Sequence, residues 1–248
     1  MKFTKKLEFF LVVMIVSLLF ATQSLRAAQQ TAPPASENIQ KIIAPAGMLN
    51  AEQVGVTLWH DYGAFALYSV SDTALSTFTA EQRNRLTAVD DRLLIDAYPF
   101  DTQRDTLDIP DTWRYAAANT EGSALHLVQF VGPIKSEWLK QIEAMGATPV
   151  HYIANNAYLV WADKSTRATL TDMAAEKEFL QFSAAYEPFF KLGPTLQDRN
   201  FNSSDLVTVT IQMLRHNGRD ATEAFVKDTI VTSQSNWEPI LHYQNLIA

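Results

Sequence analysis

Five histidines, His60, His126, His151, His216 and His242, are the side chains best suited to acid, base or metal-ligand work near neutral pH. They are dispersed. No two stand at the i, i+4 spacing, with a Glu between, by which one helix face presents two imidazoles and a base to zinc. His126 and His151 fall in strand-like runs and could approach across a sheet, but the pattern favours satisfied structural histidines. Asp101, Asp105, Asp108 and Asp111 are carboxylates of the kind calcium takes, yet their spacing lacks the loop glycine and terminal Glu of an EF-hand, so they read as a solvated connection. Cysteine is absent, which removes disulfides, thiolate metal sites and a thiol for lipid attachment. With eight glycines in all, the chain carries no Gly-x-Ser-x-Gly elbow, Walker loop or dinucleotide fingerprint. No catalytic residue, metal site or cofactor is assigned.

The elements that would position any site are clearest from Leu125 to Leu192. Leu125 to Val131 is a Leu, Val and Phe run stopped by Gly132-Pro133, and it reads as a strand because Pro cannot donate to a ladder. Ile134, Trp138, Ile142 and Met145 then recur at helical spacing, with Gly146 placed for a left-handed C-terminal cap. Thr148 to Ile153 and Ala157 to Ala162 are β-rich, and the Asn155-Asn156 pair between them tolerates the positive φ of a hairpin turn. Asp163 and Ser165 offer caps for a second helix through Glu178, after which Phe179 to Phe190 is extended and broken by Pro188. The order is βαββαβ, that of a ferredoxin-like domain. Two helices cover one face of a four-stranded sheet, so its other face must meet water, a neighbouring domain or a partner.

At 248 residues and 47% hydrophobic content the chain is sized for one large or two to three small packed domains. Lys2, Lys5 and Lys6 precede the apolar stretch Phe9 to Ala21, too short for the roughly 20 residues that span a bilayer, which is the layout of a secretory signal peptide over residues 1–28. Residues 29–53, with Pro33, Pro34 and Ser36, read as a linker. The formal charge is −7; removing the +3 carried by Lys2, Lys5, Lys6, Arg26 and Glu8 leaves −10 on the exported chain. Such a surface repels nucleic acid and anionic lipid, so neither is expected as a partner, and no stable membrane anchor is expected. A secreted or periplasmic location follows.

A second unit reads as ββαβ over residues 54–118: strands at Val54 to Trp59 and Ala64 to Val70, a helix over Ala74 to Leu86 and a strand at Leu93 to Tyr98. Gly63 to Tyr68 lies well over Asn156 to Trp161, which suggests an internal repeat. Phe100 to Gly122 is polar and reads as the connection to the main domain, residues 124–192. Residues 205–248 read as βαβ and stop, so the sequence specifies an α+β chain of tandem ferredoxin-like units with antiparallel sheets, the last one incomplete.

Several phrases now in hand resemble the amino-terminal region of large secreted subtilisin-like serine peptidases. They are Asp61-Tyr62-Gly63-Ala64-Phe65-Ala66-Leu67-Tyr68, Phe100-Asp101-Thr102, Leu125 to Ile134 with its Gly132-Pro133 step, Trp138, Tyr152 to Val160 with Asn155-Asn156-Ala157-Tyr158, and Tyr186 to Leu192. Where such enzymes carry Pro before the Asn pair, this chain has Ala154. The resemblance implies a pro-region related to the ferredoxin-like propeptides of subtilisins, which assist folding of the peptidase domain and inhibit it until removed. It carries over no catalytic residue: the Asp-Ser/Thr-Gly, His-Gly-Thr-His and Gly-Thr-Ser steps of that family do not occur here. The chain is then non-catalytic, and its full-length parent a serine endopeptidase.

On this reading the partner is a subtilisin-like peptidase domain, in cis or in trans. The expected docking residues are Tyr158 and Val160 on the helix-free sheet face, and Phe189, Phe190, Lys191 and Leu192 as an extended tail entering the substrate cleft. The competing expectation is a stand-alone exported interaction or structural module of ferredoxin-like repeats.

Overall fold

The computed structural model describes residues 38–95, 98–114, 121–193, 196, 211–213 and 219–230. The signal peptide expected over residues 1–28 and, apart from 211–213 and 219–230, the expected unit over 205–248 lie outside these residues. The chain forms two compact units that divide between Val89 and Asp90.

In the first unit the strands are β1 (Ile39–Pro45), β2 (Val56–Asp61), β3 (Phe65–Ser71) and β4 (Thr87–Ala88). They form one antiparallel sheet in the order β2-β3-β1-β4. Residues 39–45, read above as linker, are therefore a central strand. Their alternation is the reason: Ile42 and Ala44 are buried, while Lys41, Ile43 and Pro45 beside them are only partly so. Ile42, Ala44, Val56, Ala66, Tyr68 and Val70 share a face that is packed by Leu49, Ala74 and Phe78. The expected helix over 74–86 is two short ones, α1 (Asp72–Thr77) and α2 (Ala80–Arg83), parted by a capping box in which Thr79 and Gln82 satisfy each other's backbone amides. Gly55 sits at φ +79, and a Cβ there would lie 2.3 Å from the hydroxyl of Ser71, the residue that caps α1.

The second unit opens with a hairpin of β5 (Arg92–Ile95) and β6 (Tyr98–Asp101), so the single strand expected at 93–98 is the core of a two-stranded element outside the first sheet. There follow β7 (Ala124–Phe130), α3 (Ser136–Ala144), β8 (Thr148–Ile153), β9 (Ala157–Ala162), α4 (Lys164–Glu176) and β10 (Leu180–Ala185). The sheet is antiparallel in the order β10-β7-β9-β8, which makes βαββαβ a ferredoxin-like arrangement. The protein is thus α+β with antiparallel sheets. A further helix, α5 (Arg219–Ile230), lies within residues 205–248, read above as βαβ.

Local chemistry accounts for these elements. Gly146, at φ +99, lets Ala147 and Gly146 donate back to the carbonyls of Ile142 and Glu143, a Schellman end to α3. Asn155 and Asn156 both take positive φ in the β8–β9 turn, and the Asp163 carboxylate accepts from the Thr166 amide to start α4. Trp138 of α3 stacks on Phe130 and Phe179, which fixes that helix on one face of the sheet.

The two sheets have the same order when the strands of each sheet are counted in chain order: second, third, first, fourth. Gly63 to Tyr68 and Asn156 to Trp161, matched by sequence, both run into the third strand. The units differ at the first crossover, a turn-rich loop over 46–55 in one and α3 in the other.

Candidate functional site

The face of the second sheet that α3 and α4 leave open is closed by the unit's own chain. Leu127, Ile153, Ala157 and Leu159 from the sheet pack with Leu93, Ile95 and Phe100 of the hairpin, Ile109 and Phe190. Phe190 lies in a 3-10 turn, Pro188–Lys191, and stacks on Phe100 and Tyr186 at centroid distances of 5.9 and 6.0 Å. Phe189 packs on Tyr98 at 4.5 Å, Lys191 lies over the Tyr186 ring, and the Tyr98 hydroxyl donates to the Leu192 carbonyl. The segment expected to extend as a tail is folded back because its two Phe rings find aromatic partners on β6.

The six residues assigned to docking therefore divide. Register places Val160 opposite His126 and Tyr158 opposite Val128, on the helix side of the sheet, while Leu159 faces Leu127 on the closed side. Val160 is 0% exposed and Phe190 5%, so neither presents a surface to a partner. Tyr158 is half-buried against Tyr152, whose ring meets it edge-on at 5.4 Å and which is itself 50% exposed on the edge strand β8. Phe189 and Leu192 are half-buried and Lys191 is exposed.

A buried polar cluster pins the hairpin to the sheet. Gln129, wholly buried near the C-terminal end of β7, donates to the carbonyls of Asp91 and Asn155 and accepts from the Thr102 hydroxyl and the Gln181 amide. Gln181 also donates to the Asp91 carboxylate at 2.9 Å, and the Asn155 amide donates to the Arg92 carbonyl at 2.8 Å. A bulge between Leu180 and Phe182 brings Gln181 and Phe182 to the same side, so that β10 contributes both an amide and a ring to this interface. At the hairpin's start Arg92 forks onto Asp90 and holds that carboxyl down at about 2, in an exposed position. The signal in sequence was an amide at a core position of a Leu, Val and Phe run. Nothing local reveals which backbone carbonyls it would reach.

On the helix side His126 Nε2 lies 2.7 Å from Ser183 Oγ, a spacing at which a base could activate a hydroxyl. The rest of such a site is not assembled. His126 Nδ1 has no orienting carboxylate or other hydrogen-bond partner. Burial, followed by the positive charge of Arg167, lowers the ring's pKa to about 4, so it is a weak base at neutral pH. Arg167 is itself buried and donates to the carbonyls of Gly122 and Ala162. His151 is paired with Leu159 and lies on the opposite face from His126, so the two histidines do not meet. Among the described residues no group of three or more His, Asp or Glu side chains is gathered as a metal site, and no helix is long and apolar enough to cross a membrane. The Asp101 carboxylate accepts from the Gln103 amide and that of Asp105 from the Asp101 amide, which ties part of the acidic run into a local turn.

A family model described as a domain of unknown function, DUF8729, matches residues 77–186. No curated protein and no solved structure matches the chain. The matched span begins at the end of α1 and takes in both the β5–β6 hairpin and all of βαββαβ. It therefore contains the hairpin and the sheet face on which the hairpin packs, and ends before the Pro188–Lys191 turn that completes the cover.

Proposed function

We propose that the chain is the non-catalytic pro-region of a secreted subtilisin-like serine peptidase, assisting the folding of the peptidase domain and inhibiting it. The observation that carries this reading is a ferredoxin-like strand order over the span where the Gly132-Pro133 and Asn155-Asn156-Ala157-Tyr158 phrases resemble such a region. Because the helix-free face is sealed from within, the peptidase is met elsewhere. The contact surface is the β8 edge with Tyr152 and Tyr158, joined by Lys191 and the partly buried Phe189 and Leu192. An edge strand offers unpaired backbone groups, and exposed Tyr supplies contact area at low entropic cost.

The test is to titrate the purified chain into a secreted subtilisin-like peptidase and follow both peptide hydrolysis and binding. Inhibition with a Kd below about 1 μM is expected, weakened about tenfold by Tyr152→Ala, the size of effect one exposed interface aromatic supports. No binding at micromolar concentration overturns the reading.

The internal seal favours a second reading, a stand-alone exported interaction module, since a face already closed by its own hairpin requires no peptidase. Genomic sequence downstream of Ala248 separates the two: a reading frame running on into Asp, His and Ser steps of the subtilisin type supports the first.

A further inference from the structure

The hydrogen bonds around His126 point to one protonation of the ring. Thr171 Oγ1 lies 3.0 Å from the Arg167 carbonyl, which can only accept, so the Thr171 proton is directed there. Thr171 is then the acceptor for Ser183 Oγ at 3.3 Å. Ser183, having donated to Thr171, accepts from His126 Nε2 at 2.7 Å. The donors run in one direction from the ring to the helix backbone, and the imidazole is neutral with its proton on Nε2. Nδ1 is left as a bare lone pair, buried and without a partner. That arrangement is tolerable for a lone pair facing the field of Arg167. It is not tolerable for an N–H bond, which would be a buried donor with no acceptor and would put a second positive charge beside a buried guanidinium.

We propose that His126 is an acid-sensitive latch, holding α4 on the sheet while neutral and releasing it when the ring takes up a second proton. The neighbours offer nothing to absorb the new charge. Val160 of β9 and Ala185 of β10 flank His126 in register, Ser183 and Thr171 are hydroxyls, and the ion acting on it is Arg167 of α4. Asp163, at the start of α4, is engaged with the Thr166 amide and the Ser165 hydroxyl, and its carboxyl is already held below its usual range. The latch bridges three elements, β7, β10 and α4, so its loss loosens the helix layer and the β10 edge. With a folded value depressed to about 4 from 6.5, the stabilisation is complete above 6.5 and is lost as pH falls toward 4.

The experiment is amide hydrogen exchange on the full chain between pH 7.5 and 4.5, corrected for intrinsic rates, alongside His126→Gln, which keeps an N–H for Ser183 but cannot be charged. Opening of α4 and β10 is expected to rise on the order of fiftyfold in the unaltered chain over that range, and far less in the variant. An equal rise in both overturns the proposal. Should the variant fail to fold, an NMR titration of His126 in the unaltered chain decides. An Nε2–H tautomer titrating below about pH 5.5 supports the latch, whereas an Nδ1–H tautomer or a midpoint at or above about pH 5.5 overturns it.

Discussion

Gln129 shows how one buried amide can position a whole element. It has two donors and an acceptor oxygen, and all are used: two carbonyls receive its hydrogens, and its oxygen receives Thr102 and Gln181. A side chain so placed contributes little net energy while complete, but removing it strands its partners. Gln129→Leu is expected to lower unfolding stability by about 3 kcal/mol, since it leaves two buried carbonyls and two donors short. Gln181→Leu is expected to cost about 2 kcal/mol, and the double change less than the sum by about 1 kcal/mol, because each single change exposes the other's loss. Urea midpoints on the four chains measure this, and strict additivity would show that the two amides act independently. The contrast with His126 is instructive. Both are polar residues in the Leu125 to Val131 run, two strand positions of opposite facing, and the sequence marks them equally. Whether the neighbourhood satisfies such a group is decided by residues far along the chain.

At the scale of elements, β7 to β10 were legible because each carries its own start and stop. The turn at Asn155-Asn156, the cap at Asp163 and the Gly146 end are chemistry within a few residues of the structure they produce. What the sequence hid is long-range. β1 lies between β3 and β4, partners that come later in the chain, and it follows a Pro and Ser segment that marks a linker. Leu93 and Ile95 alternate with exposed residues as any half-buried strand does, and alternation cannot say against which sheet the buried side rests. The consequence is energetic as well as topological. Without β5 and β6 the face bearing Leu127, Ile153, Ala157 and Leu159 would be an exposed apolar patch. A chain covering residues 90–193 is expected to be monomeric, and one covering 121–193 to bind a hydrophobic dye and self-associate. Phe100→Ala in the full chain is expected to cost about 4 kcal/mol, since the ring is buried between Phe182 and Phe190. Sedimentation and dye fluorescence report the first outcome and denaturant unfolding the second; a monomeric, dye-silent 121–193 chain would mean that the hairpin is dispensable cover.

Over the whole molecule, the repeated strand order sets two units of the same design but unequal means beside one another in sequence. The first has one described core cluster, a two-residue fourth strand and a loop where its counterpart has a helix. The second packs its sheet on both faces, with the Phe130, Trp138 and Phe179 stack on one side and the hairpin on the other. Domains of roughly 50 residues bury a smaller fraction of their surface than larger ones, and with no cysteine in the chain neither unit has a disulfide to compensate. The first unit should therefore open at a lower free energy than the second. Native-state hydrogen exchange on the full chain in increasing denaturant is expected to show the amides of β1 to β4 merging into one opening several kcal/mol below that of β7, β9 and β10. Melting followed by two probes, one in each unit, should likewise give non-coincident curves. A single coincident transition with equal protection in both sheets would contradict this, and would mean that the apparent poverty of the first core is made good by contacts beyond its own residues.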